Sequence, residues 1–183
     1  MSAINEKLTI EEVAALVCAT LARHGVSVVL SGGSVVSIYA SNEYASFDLD
    51  FVRTGLAVKV DAAMQELGFE KTGRHWTHQR TDYWVEFPAG PVAVGDTQVT
   101  EFAQRKTRFG LLRLLAPTEC VMDRLVNYFH NADLECLDQA IAVARHQRKR
   151  VDLERIETWS RREGASAFGK FQEFVKRLRE ADD

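Results

Sequence analysis

Disulfide capacity, membrane-spanning length and a strong charge bias are all missing from this chain of 183 residues. Its three cysteines, Cys18, Cys120 and Cys136, are odd in number and form no C-x-x-C pair. Cys18 and Cys120 lie among apolar residues at helical spacing, so they are expected to be buried structural thiols, as a reducing cytoplasm allows. No apolar run approaches the ~20 residues needed to span a bilayer. The polar start, Met1 to Lys7, lacks the character of a signal peptide. A cytoplasmic protein without membrane contact is therefore expected. A net charge of -3 argues against a protein that coats nucleic acid indiscriminately, while leaving room for a local basic site. Repeats and low-complexity segments are absent as well.

What is present is ordinary globular material: 46% hydrophobic and 27% charged residues, enough to bury a core without metal or disulfide staples. Thr9-Ile10-Glu11-Glu12 reads as a capping box opening a helix, with Ile10, Val13, Leu16, Val17 and Leu21 on one face and Gly25 as a stop. Val26 to Leu30 is a short apolar run that predicts a buried strand. It ends at Ser31-Gly32-Gly33-Ser34, after which Val35 to Ala40 predicts a short helix with Ser34 as its N-cap. Strands are expected over Ser46 to Val52, Phe69 to His78 and Asp82 to Phe87, with a helix over Leu56 to Leu67. Val92 to Leu115 is mixed and gives no clear assignment. From Pro117 onward, Thr118–Phe129, Asp133–His146, Asp152–Glu163 and Ala167–Arg179 all fit helices. The expected organisation is an α+β core over 1–116, a mixed sheet flanked by helices, followed by a helical region over 117–183.

Asp48-Leu49-Asp50 is the segment that carries chemistry. Alternate side chains of a strand share a face, so Phe47, Leu49 and Phe51 are expected to enter the core while Asp48 and Asp50 emerge together. Two carboxylates held that close repel one another and lose hydration unless a cation intervenes. Magnesium, or manganese, favours oxygen ligands of this kind completed by water and phosphate. Glu86 is set in the same way, opposite the apolar face of Tyr83, Val85 and Phe87. If the two strands pair, three carboxylates converge, as two-metal phosphoryl and nucleotidyl transfer requires. The Gly-Gly-Ser turn exposes backbone N–H groups of Gly32 and Gly33 with little obstruction and offers a phosphate seat. The Ser34 hydroxyl is a candidate donor to phosphate, and Ser46 a candidate for shaping the turn before Asp48. Taken singly, each motif is weak: Gly-Gly-Ser is most often a plain turn, and Asp-x-Asp a solvated edge. Their order along the chain is far more specific.

In that order, Leu30-Ser31-Gly32-Gly33-Ser34, Phe47-Asp48-Leu49-Asp50-Phe51 and Val85-Glu86-Phe87, the chain resembles the nucleotidyltransferase superfamily related to DNA polymerase β. Within it, the chain is most similar to the minimal bacterial proteins grouped with the AbiEii toxins of type IV toxin–antitoxin systems. The resemblance covers residues 28 to 87 well and the helical region loosely. It implies transfer of a nucleoside monophosphate from a nucleotide triphosphate to an acceptor hydroxyl on a tRNA, a protein or a small molecule, with an antitoxin as partner. It also implies that a basic residue and a later acid assist the site, and Arg124 and Asp133 are the matching positions. Pairing of Arg124 with Asp123 or Glu119 on its own helix is an equal alternative. One departure stands out. Relatives carry an arginine just ahead of the Ser/Thr-x-Asp motif, where this chain has Asn42-Glu43-Tyr44-Ala45. That absence favours a second reading, a binding or regulatory module that has lost turnover.

Other candidates are weaker. His75 and His78 face opposite sides of a strand and are not expected to share a metal. Between them, Trp76 suits packing better than base stacking. The basic run Arg145-His146-Gln147-Arg148-Lys149-Arg150 reads as a solvated helix end, with nucleic acid as the alternative.

Overall fold

A computed structural model describes residues 3–54 and 60–181. Helix α1 (Ile10–Arg23) opens on the expected capping box: the Glu12 N–H donates to Thr9 Oγ1 and the Thr9 N–H donates to Glu12. Strand β1 (Val28–Ser31) follows, then α2 (Gly33–Tyr39), β2 (Asp48–Arg53) and α3 (Val60–Glu66). The helix expected over Leu56 to Leu67 is described only from Val60, and its first four residues lie outside the described residues.

The strand expected over Phe69 to His78 is instead a hairpin. Gly73, at φ +64°, folds it into β3 (Glu70–Thr72) and β4 (His75–His78), which lead into β5 (Thr81–Glu86). A left-handed glycine ends a strand that apolar alternation alone would have carried through. The mixed stretch contains a small hairpin, β6 (Ala93–Val94) with β7 (Thr97–Gln98), and a longer one, β8 (Ala103–Thr107) with β9 (Gly110–Leu114). Four helices complete the chain: α4 (Pro117–Asn131), α5 (Leu134–His146), α6 (Leu153–Arg162) and α7 (Ala165–Glu180).

Seven strands form one mixed sheet in the order β3-β4-β5-β2-β1-β9-β8. β2 runs antiparallel to β1 and parallel to β5, and β1 runs parallel to β9. The central strands bury Leu30, Leu49, Phe51, Val85, Leu112 and Leu114 completely. Each such side chain contributes about 1.5–3 kcal/mol of burial, which fixes the register of the central strands. α1 packs on β1 and β9, while α2 packs on β1 and β2 and meets α4 and α5. Tyr39 at the end of α2 donates its hydroxyl to the Leu115 carbonyl at 2.8 Å and accepts on its own carbonyl from Gln147 Nε2 at 3.0 Å. Lys170 of α7 donates to the carbonyls of Tyr128 and Phe129, 3.0 and 2.7 Å away in the last turn of α4. All three cysteines are buried and unpaired. Among the described residues no helix is long and apolar enough to cross a membrane.

Candidate active site

β2 begins at Asp48, not at Ser46, and this changes one expectation. Leu49 and Phe51 are fully buried as the alternation requires, but Phe47 precedes the ladder and is 48% exposed, its ring 6.0 Å from that of Tyr83. The opposite face carries Asp48 and Asp50, both half-buried.

The parallel pairing of β2 with β5 sets Asp48 beside Trp84, Leu49 beside Val85 and Asp50 beside Glu86. Asp50 and Glu86 are thus direct cross-strand neighbours on the polar face, where like charges repel. On the other side, the antiparallel pairing with β1 sets Asp50 beside Ser31, whose hydroxyl donates to the Asp50 carbonyl at 3.3 Å. The glycine turn follows Ser31 at once and lies directly against the acids. A Cβ on Gly32, which sits at φ +73°, would stand 2.6 Å from Asp50 Oδ2. One on Gly33 would stand 3.3 Å from Ser46 Oγ. At Gly32 only glycine lets the backbone pass this close. Ser46 shapes the entry to β2: its hydroxyl accepts from the Asp48 N–H, and both contacts to Asp48 backbone atoms measure 3.3 Å.

The electrostatics follow from this crowding. Burial, with Asp48 and Glu86 adding their charge, pushes the Asp50 carboxyl up to about 6, against a smaller opposing pull from Arg124. The Asp48 carboxyl is raised by burial and then by Glu86, while His75, Arg74 and the Trp84 side chain pull it back. Asp48 Oδ1 is buried and has no hydrogen-bond partner, an expensive condition for a carboxylate oxygen. An oxygen-loving divalent cation fits that orphaned atom and the surplus negative charge around it. The trio is not gathered into a ready-made ligand shell, however. Among the described residues no group of three His, Cys, Asp or Glu side chains is positioned to hold a metal ion. Glu86 is engaged elsewhere: its Oε1 is 2.7 Å from His75 Nδ1 and its Oε2 is 3.5 Å from Arg74 Nε.

The remaining expected residues divide. Ser34 is fully buried and donates to the Ser31 carbonyl at 3.0 Å, so its hydroxyl faces the turn's own backbone. The cap of α2 is Gly32, two residues earlier than expected, because its positive φ lets the helix start at Gly33. Arg124 pairs with its neighbour Asp123, at 2.5 Å through Nη2 and 3.2 Å through Nε, and Nη1 reaches Gln139 at 3.4 Å. Its charge nevertheless reaches both Asp50 and Asp133. Asp133 caps α5, with Oδ1 accepting from the Cys136 N–H at 3.0 Å, and this bond lowers its carboxyl pKa. Trp76 is buried in the core beneath Lys71. The basic end of α5 is capped by Gln147.

Three side chains outside the expected set act on the acids: Arg74, His75 and Trp84. Trp84 was within reach of the alternation that singled out Glu86, two residues on along the same strand. Arg74 and His75 reach the acids only through the turn at Gly73 and the pairing of Trp76 with Val85, neither of which leaves a local signal.

No family model and no curated protein matches the sequence. Solved structures do match. An antigenic nucleotidyltransferase-like protein from Paracoccidioides brasiliensis is similar over 75% of this chain and 77% of its own, with a TM-score of 0.55 and 13% identity. The antibiotic-resistance factor ANT(2'')-Ia, in its crystal structure with adenylyl-2''-tobramycin, is similar over 90% of this chain and 97% of its own, with a TM-score of 0.52 and 11% identity. Its solution structure matches over 95% and 98%, with a TM-score of 0.50. The chain has the nucleotidyltransferase fold, a central mixed sheet flanked by helices.

Proposed function

We propose that this chain is a metal-dependent nucleotidyltransferase that moves a nucleoside monophosphate from a nucleotide triphosphate to an acceptor hydroxyl. The observation that carries the reading is the register that sets Asp48, Asp50 and Glu86 on one face of paired strands, with Gly32 against Asp50 and Gly33 against Ser46. Asp48 and Asp50 would hold magnesium or manganese, with Glu86 completing the set on release from its present partners. When bound, the metal supplies neutralisation of the triphosphate and activation of the acceptor oxygen. Glu86 accepts the acceptor's proton. The acceptor oxygen then bonds to the α-phosphorus as the bond to pyrophosphate breaks. The backbone of Gly32 and Gly33 seats the phosphates, Ser46 fixes the start of β2, and Arg124 adds positive field from behind its pair with Asp123.

The acceptor classes are a tRNA, a protein side chain or a small molecule, and the adenylyl-tobramycin complex of ANT(2'')-Ia makes aminoglycosides the first small molecules to try. A toxin role with a cognate antitoxin rests on the resemblance of the Gly-Gly-Ser and Ser-x-Asp-x-Asp motifs. It predicts growth arrest on expression that an Asp50→Ala variant does not cause. The core experiment incubates the protein with labelled nucleotide triphosphates, magnesium and total RNA, total protein or aminoglycosides. Label moves to one acceptor class with wild type and not with Asp50→Ala.

Two observations favour a second reading, a nucleotide-binding module without turnover. Glu86 is tied to His75 and Arg74, and the arginine expected ahead of Ser46 is absent. Metal-dependent nucleotide binding without transfer to any acceptor would select it.

A further inference from the structure

The turn joining β3 to β4 and the first residue of β4 place two nitrogen-bearing side chains, Arg74 and His75, against Glu86. His75 Nδ1 stands 2.7 Å from Glu86 Oε1, and Arg74 Nε stands 3.5 Å from Glu86 Oε2. Arg74 Nε also donates to His75 Nε2 at 3.4 Å. Both side chains thus face Glu86, and of the two the Arg74 guanidinium carries a permanent positive charge. That charge acts on Asp48 as well.

The two arginines near the acids differ in freedom. Arg124 is 14% exposed and fastened by Asp123 and Gln139. The Arg74 side chain is 81% exposed, and its contact with Glu86 is long. Exposed pairs of this kind are weak and screened, so the guanidinium leaves Glu86 at small cost. Its planar fork suits phosphate oxygens better than a single distant carboxylate oxygen. Gly73 beside it, at φ +64° with nothing within 4 Å of a virtual Cβ, leaves the turn open to solvent.

We propose that Arg74 is a transferable counter-charge: it neutralises Glu86 in the free protein and passes to the polyphosphate of an incoming metal–nucleotide complex, in place of the arginine missing ahead of Ser46. This rests on the nucleotidyltransferase reading of the acids. It makes a prediction of opposite signs, because Arg74 competes with a bare cation for Glu86 but assists a cation that arrives with phosphate.

The test titrates Mn2+ with and without inorganic tripolyphosphate, which carries the phosphates without committing to a base. Binding is followed by electron paramagnetic resonance of free Mn2+ and by calorimetry. Arg74→Ala binds Mn2+ alone about threefold more tightly than wild type and Mn2+–tripolyphosphate about tenfold more weakly. Arg74→Lys, which keeps charge without the fork, falls between. Affinities that move in the same direction in Arg74→Ala, or that do not move, overturn the proposal. An Asp50→Ala control separates the two levels. If Asp50→Ala loses Mn2+ while Arg74→Ala behaves as wild type, the role of Arg74 is wrong and the acidic site stands. If Asp50→Ala binds Mn2+ as wild type does, the acidic site falls and takes the proposal with it.

Discussion

Replacing Asp50 by asparagine should stabilise the metal-free protein at neutral pH and leave its stability unchanged in acid. The Asp50 carboxyl rises from an ordinary 3.8 to about 6, chiefly through burial and then through Asp48 and Glu86. Roughly two units at 1.36 kcal/mol each give about 3 kcal/mol of unfavourable ionisation in the folded state. Residual solvent contact screens the group and reduces this to about 1.5 kcal/mol. The sign follows from proton counts. Between the unfolded and folded values the folded chain holds the proton and the unfolded chain does not, so stability falls as pH rises through that window. The folded state is thus best below about pH 4, and the loss is complete above about pH 7. A neutral asparagine of nearly equal volume escapes that loss. For a chain of this size 1 kcal/mol shifts Tm by about 2–4 °C, so Asp50→Asn should melt about 3–6 °C above wild type at pH 8 in chelator. The gain should shrink as pH falls below about 6 and vanish only below the unfolded value of 3.8. Differential scanning calorimetry across that range is the assay, and magnesium provides the internal check, raising the Tm of wild type and not of the variant. A gain independent of pH, or a variant less stable than wild type at pH 8, would refute the electrostatic account.

Three further perturbations probe the frame of the site. Gly32→Ala places a methyl group 2.6 Å from Asp50 Oδ2 on a backbone at φ +73°. It should lower stability by about 1–3 kcal/mol in urea titrations and weaken Mn2+ binding with it. Lys170→Met removes the cation that holds the last carbonyls of α4 while keeping much of the side chain's bulk. A loss of about 1–2 kcal/mol is expected, with hydrogen exchange rising first at the end of α4. Thr9→Ala breaks the capping box of α1 and should cost about 1 kcal/mol by chemical denaturation, with Mn2+ affinity unaltered.

Local features were legible in the sequence, and pairings between distant strands were not. The capping box at Thr9 and Glu12, the pair Asp48 and Asp50, and the four C-terminal helices each announce themselves within a dozen residues, because each is set by one period or one cap. The adjacency of Asp50 and Glu86 was an inference from matching polarity; only the β2–β5 register supplies it. A glycine within an alternating run, such as Gly73, looks the same in sequence whether the strand continues or folds back. That one turn hid both Arg74 and His75. Alternation points Phe47 into the core because it has a phase but no marker for where the ladder starts. The stretch after Val92 was opaque for a further reason: β6 and β7 have two residues each, too short for any period to register.

The pairing of β4 with β5 shifts register between Trp76 and His78. An irregularity there bends the strand and re-aims the side chains next to it. The hairpin end that bears Arg74 and His75 is therefore set by packing around the buried Trp76. Drift in a lineage at a plain hydrophobic position such as Trp76 or Val85 would swing that pair of nitrogens toward or away from Glu86. The charge around the acids is thus set in part by residues that carry no charge, with every carboxylate left in place.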